Sequence, residues 1–276
     1  MTNNLFDYHL HSFHSPDGSM ELETIVQRAR ELGLTEICIT DHVEVDSSYG
    51  DDWQTSPETL RALLNDLKRM QELTNGFVKK GVELGFPDYN PGTVKDMVSL
   101  VNPDDFDFII VSLHQYHGIS PLTDTFFKER TLAEAAAAYI KEINERIREF
   151  PTEYYDVLGH IDFVVKGSHG YDDPSLSLSF FEEELRELFR FLIDRGKSLE
   201  VNTSAYRALP GHKLHGLDWL TLFAQMGGEY VTIGSDAHKK EQIGYRLADA
   251  LDLIRAAGIP YFATFDQRQA IMHKVK

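Results

Sequence analysis

Two kinds of hydrophobic pattern alternate along the chain. Short apolar runs rich in β-branched residues predict buried strands, and they lie at 5–9, 36–40, 78–84, 107–113, 155–160, 198–203, 230–234 and 260–263. Apolar residues recur at helical spacing between these runs, at 20–32, 57–74, 131–149, 176–195, 216–227 and 241–257. This alternation predicts an α/β fold with a mainly parallel sheet that is covered by helices.

The ends of the predicted helices carry typical capping residues. Pro57 stands at a first helical position, and Thr131 with Glu134 matches a capping box. Gly33 and Gly258 follow the last periodic residues of two helices, where a left-handed C-cap is expected.

Length and composition indicate one large unit. The chain has 276 residues, of which 42% are hydrophobic, so it can bury a large core. With seven or eight strand–helix units and no linker-like stretch, we expect a closed barrel in which residues 1–276 form a single domain.

The sequence also carries signs of its compartment. No apolar stretch approaches the roughly 20 residues that span a bilayer, and the opening MTNNLFDYHLHS lacks the features of a signal peptide. The single cysteine, Cys38, lies in an apolar run and suits a reducing compartment. We therefore expect a cytoplasmic protein that does not associate with membranes.

The charge balance restricts the possible ligands. The formal net charge is −17, and no basic stripe reverses it locally. Such a surface repels long nucleic acids and anionic lipids. An anionic ligand would need a local source of positive charge, and bound metal ions are the obvious candidate.

Histidines and carboxylates stand at the ends of successive predicted strands. His9 and His11 lie two residues apart, so strand alternation turns both rings to one face, where they can reach one metal ion. Seven further residues share this position at or just beyond strand ends: Asp17, His42, Glu83, His114, His160, Asp236 and His238. A lone strand-end histidine is usually a hydrogen-bonded structural residue, and a lone carboxylate usually caps a helix. Because strand ends converge in a parallel barrel and nine buried polar groups need compensation, we predict a metal centre.

The remaining histidines fall outside this register. They are His14, His117, His169, His212, His215 and His273. We expect none of them to be a ligand, although His14 and His117 are close enough in sequence to predicted ligands to contact those ligands or a substrate.

The order of these motifs resembles that of the PHP (polymerase and histidinol phosphatase) superfamily. The series D-x-H-x-H, T-D-H, G-x-E-x-G, S-x-H, G-H-x-D and G-S-D-A-H runs from residue 7 to residue 238. The stretch LEVNTSAYR at 199–207 is similar to that of stand-alone bacterial histidinol-phosphate phosphatases. The resemblance implies a distorted (β/α)7 TIM-like barrel with three divalent ions, which are zinc, iron or manganese.

The resemblance also implies a division of the nine side chains among three ions: His9, His11, Glu83 and Asp236 for the first, Glu83, His114 and His160 for the second, and Asp17, His42 and His238 for the third. Asp17, Glu83, Asp236 and His238 are the expected catalytic members. Such ions lower the pKa of a bridging water, which gives a hydroxide nucleophile, and they neutralise charge on a phosphoryl group.

Three residues are expected to contact phosphate. Lys166 stands where the family commonly has an arginine, which keeps the cation but loses the bidentate fork. Arg207 matches a second phosphate-contacting position and follows Ser204 closely. A solvated loop charge is the alternative for Lys166, and a surface ion pair for Arg207. Asp162 could orient His160, face a substrate amine or cap a helix.

The resemblance implies hydrolysis of L-histidinol phosphate to L-histidinol and inorganic phosphate, a step of histidine biosynthesis. One alternative is a phosphoesterase acting on a nucleotide, a short oligonucleotide or a phosphotyrosyl protein. A second is a metal-dependent amide or ester hydrolase, against which no lysine stands at a strand end to bridge two metals. The expected partner is a small phosphorylated substrate rather than a long nucleic acid, and the oligomeric state stays open.

Overall fold

The computed structural model describes residues 5–45, 50–87, 91–167, 181–208 and 216–275. Within these ranges the chain forms ten strands: β1 Phe6–Asp7, β2 Glu36–Ile39, β3 His42–Val43, β4 Val78–Gly85, β5 Phe108–Ser112, β6 Val157–Leu158, β7 Ser198–Asn202, β8 Tyr230–Gly234, β9 Tyr261–Asp266 and β10 Gln269–Lys274. The same ranges contain nine α-helices: α1 Leu22–Glu31, α2 Pro57–Leu73, α3 Pro91–Leu100, α4 Asp124–Phe127, α5 Leu132–Glu149, α6 Phe163–Gly167, α7 Glu182–Ile193, α8 Leu217–Gln225 and α9 Leu247–Ala257.

Parallel strands form a closed barrel. The strand order is β1-β2-β4-β5-β6-β7-β8-β9-β10, with β3 beside the second half of β4, and the first seven strands of this order form the barrel. The two ends of this seven-stranded series also meet, because Tyr8 N donates to Ile233 O at 2.9 Å and Asp236 N donates to His9 O at 2.8 Å. These bonds join β1 to the end of β8. The expected seven-stranded β/α barrel is confirmed.

The last two strands form a hairpin at the opposite end of the barrel from the predicted site. Gln267 and Arg268 form its turn, both with positive φ, as a two-residue type I′ turn requires. Arg268 Nε donates to Asp156 Oδ2 at 2.6 Å, and Arg268 N donates to Asp107 O at 2.9 Å. Because Asp107 and Asp156 precede β5 and β6, the turn lies against the N-terminal ends of these strands.

The helices pack their apolar faces on the outside of the barrel. The capping box at α5 is confirmed, since Thr131 N donates to Glu134 Oε2 at 2.8 Å and Thr131 Oγ1 accepts from Glu134 N. Gly33 and Gly258 follow α1 and α9 with φ of 71° and 81°, as expected for left-handed caps. Among the described residues, every helix is too short or too polar to cross a lipid bilayer.

Several parts of the chain differ from the sequence expectation. Helices α3, α4 and α6 and strands β3 and β10 were not expected, and the helix predicted at 241–257 begins only at Leu247. The loop before Leu247 is held by tertiary contacts instead, because Gly244 N donates to Asp7 Oδ2 at 2.9 Å. For the helix predicted at 176–195, α7 covers Glu182–Ile193, and residues 176–180 lie outside the described ranges.

Candidate metal centre

Glu83, at the end of β4, is the centre of a cluster of side chains at the C-terminal face of the barrel. Its carboxylate is completely buried. Oε1 lies 3.2 Å from His114 Nε2 and 2.9 Å from His160 Nε2. Oε2 lies 3.0 Å from His9 Nε2 and 3.1 Å from His42 Nδ1. One carboxylate therefore meets histidines from four different strand ends.

His9 and His11 turn their rings to the same side, as strand alternation predicts. Their Nε2 atoms are 3.0 Å apart. Asp236 Oδ1 lies 3.4 Å from His11 Nε2 and 3.9 Å from His9 Nε2. Asp236 has a φ of 53°, a conformation that is strained for a residue other than glycine. With Glu83, these residues bring together the group expected to hold the first ion.

Asp17, His42 and His238 lie at the mouth of the cluster. Asp17 Oδ2 is 3.1 Å from His238 Nε2, and Asp17 Oδ1 is 3.7 Å from His42 Nε2. The His238 ring stacks on that of His11, with centroids 4.0 Å apart. Asp17 is the more exposed of the carboxylates, at 41% of its side-chain surface.

The donor atoms suit divalent cations in number, type and spacing. Two ligands of a tetrahedral zinc ion lie roughly 3.3 Å apart, given metal–ligand bonds near 2 Å, and the separations above fall around this value. His42 Nδ1 and His238 Nε2 are buried and lie 3.1 Å from the carboxylates of Glu83 and Asp17 without the geometry of a hydrogen bond, as donor atoms around a shared cation would. Mixed imidazole and carboxylate donors are compatible with zinc, iron or manganese. The residues present therefore fit the implied ions.

The carboxylates of the cluster are held in their ionised form. Burial raises the pKa of Glu83, but the charges of His9 and His114 outweigh burial and hold this pKa well below its usual range. The pKa of Asp236 behaves in the same way, with Lys166 and His9 opposing the effect of burial. The cluster is thus an environment that favours cations.

The histidines of the cluster divide into two groups: burial and neighbouring imidazoles lower the pKa of His11, and burial lowers that of His160, whereas carboxylates raise the pKa of His114 and His9. Burial lowers the pKa of His114, yet Glu83 and Glu44 outweigh it and raise this pKa to about 10. Burial likewise opposes the protonation of His9, but Glu200 and Glu83 raise its pKa well above the usual value. Glu44 and Glu200 were not among the predicted site residues. Their signals in the sequence were a glutamate two residues after the strand-end residue His42, and a charged residue inside a predicted buried strand.

Further buried carboxylates fix the loops that carry the ligands. Asp41 accepts from Ser12 N at 2.6 Å and from Ser15 Oγ at 2.8 Å. Ser15 Oγ in turn lies 2.9 Å from His11 Nδ1. On the other side, Asp7 Oδ2 accepts from Ser235 Oγ at 2.6 Å. The aspartates of the D-x-H-x-H and T-D-H motifs therefore support the ligand loops.

The residues expected to contact phosphate all lie beside Asp236. Lys166 Nζ and Ser204 Oγ donate to Asp236 Oδ2 at 2.9 and 2.8 Å. The guanidinium of Arg207 donates to two backbone carbonyls, Ser235 O at 2.5 Å and Asp236 O at 2.9 Å. Burial lowers the pKa of Arg207. Asp162, near the start of α6, has a pKa raised to about 6 by burial.

A cavity of about 230 Å³ opens above the cluster. Glu83, His160 and Asp236 contribute to its polar side, together with Lys166. Other lining residues are apolar and form a wall: Trp53, Leu122 and Phe163. The cavity therefore combines a cation-favouring floor with a surface suited to a flat organic group.

Three of the remaining histidines, His14, His117 and His273, have partners outside the cluster. His14 Nε2 lies 3.0 Å from Asp66 Oδ2, and His117 Nε2 lies 3.5 Å from Glu142 Oε2. His273 stacks on Phe262. His169, His212 and His215 lie outside the described residues.

Comparisons with known proteins give consistent relatives. The model of the PHP domain family matches residues 7–204. The histidinol-phosphatase of Lactococcus lactis is 29% identical over 262 residues, which cover 94% of this chain and 93% of that protein. A probable histidinol-phosphatase of Clostridium acetobutylicum is 26% identical over 257 residues, or 90% and 92% of the two chains. The crystal structure of the Lactococcus lactis histidinol phosphate phosphatase with zinc, L-histidinol and phosphate is similar with a TM-score of 0.83, at 26% identity and coverage of 97% and 99%.

Proposed function

Because the chain belongs to the PHP domain family, we propose that it is a metal-dependent phosphomonoesterase that hydrolyses L-histidinol phosphate to L-histidinol and inorganic phosphate. The observation that carries the proposal is the cluster of histidines and carboxylates around Glu83. The relatives named above support the substrate, since one of them is similar over nearly the whole chain and was solved with zinc, L-histidinol and phosphate.

The proposal includes three divalent ions, for which zinc, iron and manganese are the candidates. The residues that would hold them are those of the cluster: His9, His11, Asp17, His42, Glu83, His114, His160, Asp236 and His238. When bound, divalent ions polarise phosphoryl oxygens and bring the pKa of water toward neutrality. Asp17, Glu83, Asp236 and His238 are the proposed catalytic members, because all four line the cavity.

The cations beside Asp236 are proposed to bind the phosphoryl group. The Lys166 ammonium lies at the cavity wall and can exchange its contact with Asp236 for a phosphoryl oxygen. The Ser204 hydroxyl, which also donates to the Asp236 carboxylate, is proposed as a second donor to the phosphoryl group. Arg207 uses part of its five-donor fork on the Ser235 and Asp236 carbonyls. It therefore fixes the strained backbone at Asp236 and has further N–H groups for an anion.

The organic part of the substrate is proposed to lie against the apolar wall. Trp53, Leu122 and Phe163 form a surface on which an imidazole ring packs favourably. The acidic surroundings of the cavity favour the ammonium group of histidinol. A neutral or purely anionic organic group would lack this second attraction.

A substrate panel tests the proposal. The purified protein is loaded with zinc, manganese or ferrous iron and incubated with L-histidinol phosphate, p-nitrophenyl phosphate, nucleoside monophosphates and a carboxylic ester. Phosphate release is measured for the phosphoesters, and p-nitrophenol release for a nitrophenyl ester. We expect the highest kcat/KM for L-histidinol phosphate. Turnover of this substrate no faster than that of the aryl phosphate would contradict the proposal.

A further inference from the structure

Two buried glutamates outside the proposed ligand set contact the ring nitrogens of His9 and His114 that point away from Glu83. Glu44 follows β3 and is 4% exposed, and its Oε1 atom lies 2.6 Å from His114 Nδ1. Glu200 in β7 is 5% exposed, and its Oε1 atom lies 2.6 Å from His9 Nδ1. In both rings the other nitrogen, Nε2, faces Glu83.

These contacts determine which ring nitrogen carries hydrogen. An ionised carboxylate only accepts hydrogen bonds, so the Nδ1 atom that faces it must be protonated. A neutral imidazole with hydrogen at Nδ1 has its lone pair at Nε2. The distance of 2.6 Å is typical of a strong, charge-assisted hydrogen bond. In the neutral form of these rings, the glutamates therefore direct the Nε2 lone pairs of His9 and His114 to the centre of the cluster.

We propose that Glu44 and Glu200 are positioning residues that fix the tautomer and orientation of His114 and His9 and strengthen metal binding without being ligands themselves. The carboxylate charge makes each imidazole a stronger donor toward a cation. This inference rests on the proposed function only in taking the cluster as a metal centre, and it does not depend on the substrate.

Two glycines at strand ends leave the space that these carboxylates occupy. A Cβ atom at Gly85 would lie 2.0 Å from Glu44 Oε2, and one at Gly234 would lie 2.4 Å from Glu200 Oε1. A side chain at Gly85 would displace Glu44, and one at Gly234 would clash with Glu200 and with His9, whose Cβ atom would lie 2.3 Å away. Glycine at these two motif positions, Gly85 of G-x-E-x-G and Gly234 of G-S-D-A-H, therefore leaves room for the carboxylates that contact His114 and His9.

Glu200 is held from two further directions. Its Oε2 atom accepts from His160 N at 3.0 Å and from Asn202 Nδ2 at 3.1 Å. Both oxygens are therefore engaged on protein donors. Glu44 differs, because its carboxylate lies within 4.8 Å of donor atoms of both His42 and His114, a spacing that a ligand could also have. The number of bound ions distinguishes a ligand from a positioning residue.

The test measures binding of Co²⁺, a probe with a visible spectrum, to the full-length protein. The variants are Glu44→Gln, Glu44→Ala, Glu200→Gln, Glu200→Ala and Gly85→Ala, and the control is Glu142→Gln. Glu142 is a buried glutamate, 3% exposed, that pairs with Arg146 at 2.8 Å. Three quantities are measured: Co²⁺ bound per chain, the Co²⁺ dissociation constant in competition with a chelator, and the Co²⁺ absorption spectrum.

We expect every variant to bind as much Co²⁺ at saturation as the unaltered protein. Gln keeps an accepting oxygen but loses the charge, so affinity should fall on the order of 10-fold, and Ala should lower it by up to about 100-fold. The Ala variants should also change the Co²⁺ spectrum, because the rings are no longer fixed. Gly85→Ala should behave like Glu44→Ala, and the control should keep its affinity.

Unchanged affinity in the Glu44 and Glu200 variants would overturn the inference. Loss of one Co²⁺ per chain in Glu44→Gln would identify Glu44 as a ligand and overturn it for that residue. If an Ala variant does not fold, the Gln variant carries the same comparison. A protein that binds Co²⁺ as expected but does not hydrolyse L-histidinol phosphate would contradict the proposed function and leave this inference intact.

Discussion

The Lys166 ammonium lies 2.9 Å from Asp236 Oδ2, so a cation at the cavity wall is paired with a carboxylate of the candidate metal centre. A phosphoryl group that binds in the cavity has to compete for this cation. Ser204, which donates to the same oxygen, can hold Asp236 when the ammonium leaves.

Lys166→Met should therefore weaken substrate binding. A hydrogen bond to a charged group is worth about 1.5–3 kcal/mol, which corresponds to a fall in kcat/KM of roughly 10- to 100-fold. We expect a raised KM and weaker inhibition by inorganic phosphate in steady-state assays. Lys166→Arg should retain most activity, and Lys68→Met, on the exposed face of α2, should have none of these effects. An unchanged KM in Lys166→Met would show that this lysine does not contact phosphate.

Glu83→Ala should remove bound metal and activity together. Its carboxylate is within 3.2 Å of donor atoms from His9, His42, His114 and His160, so its loss leaves these rings without their common negative charge. Metal content is measured by atomic emission on the same sample used for the phosphatase assay. Retained turnover in this variant would refute a mechanism that depends on the cluster.

Gly159→Ala should disturb the site without altering any proposed ligand. A Cβ atom there would lie 2.2 Å from Ser112 Oγ, which donates to Glu83 Oε1 at 2.6 Å. Overpacking of this kind costs about 1–3 kcal/mol of the free energy of unfolding, and activity should fall as Glu83 is displaced. Urea denaturation and kinetics measure the two effects. The double variant with Ser112→Ala should recover part of the stability, and a purely additive result would argue against the predicted clash.

Arg268→Met should destabilise the fold in a pH-dependent way. Asp156, 5% exposed, would be left as a buried charge, at a cost of about 3 kcal/mol. Burial raises the pKa of Asp156, and Arg268 opposes this effect, so the variant's pKa should rise further. A carboxyl whose folded pKa exceeds its unfolded value stabilises the fold at low pH, and that stability is lost as pH rises through the folded pKa.

The destabilisation by Arg268→Met should accordingly be larger at pH 8 than at pH 5. Thermal or urea unfolding at both values measures it. Arg255→Met is the matched control, because Arg255 pairs with Asp252 on an exposed helix surface and its loss should matter little. A deficit that does not change with pH would show that Asp156 stays ionised in the variant.

The barrel and the cluster could be predicted because local signals agreed with the global fold. Short apolar runs mark the strand ends at His42, Glu83, His114 and His160. The C-terminal ends of parallel strands in a barrel converge regardless of the loop conformations. Strand β10 gave no such signal, because its residues are mostly exposed and, within the described ranges, pair with β9 alone. Its place depends on contacts of the Arg268 turn with residues far away in sequence.

The glutamates behind the histidines were harder to find. In the sequence, Glu44 and Glu200 are isolated acidic residues. Their proposed role follows from their contacts with His114 and His9, which come close only in the folded barrel. No local pattern encodes such a pairing. The later start of α9 has a similar cause, since the Gly244 contact with Asp7 overrides the helical spacing before Leu247.

The pairing of Asp7 with Ser235 spans 228 positions along the chain. Ligands near β1 and on the loop after β8 therefore meet only after the whole barrel sequence between them has been synthesised. A nascent chain carries His9 and His11 long before Asp236 and His238 are added. High-affinity metal capture should thus accompany the last stage of folding, and a chain truncated before residue 235 should remain a weak chelator rather than a partly active enzyme.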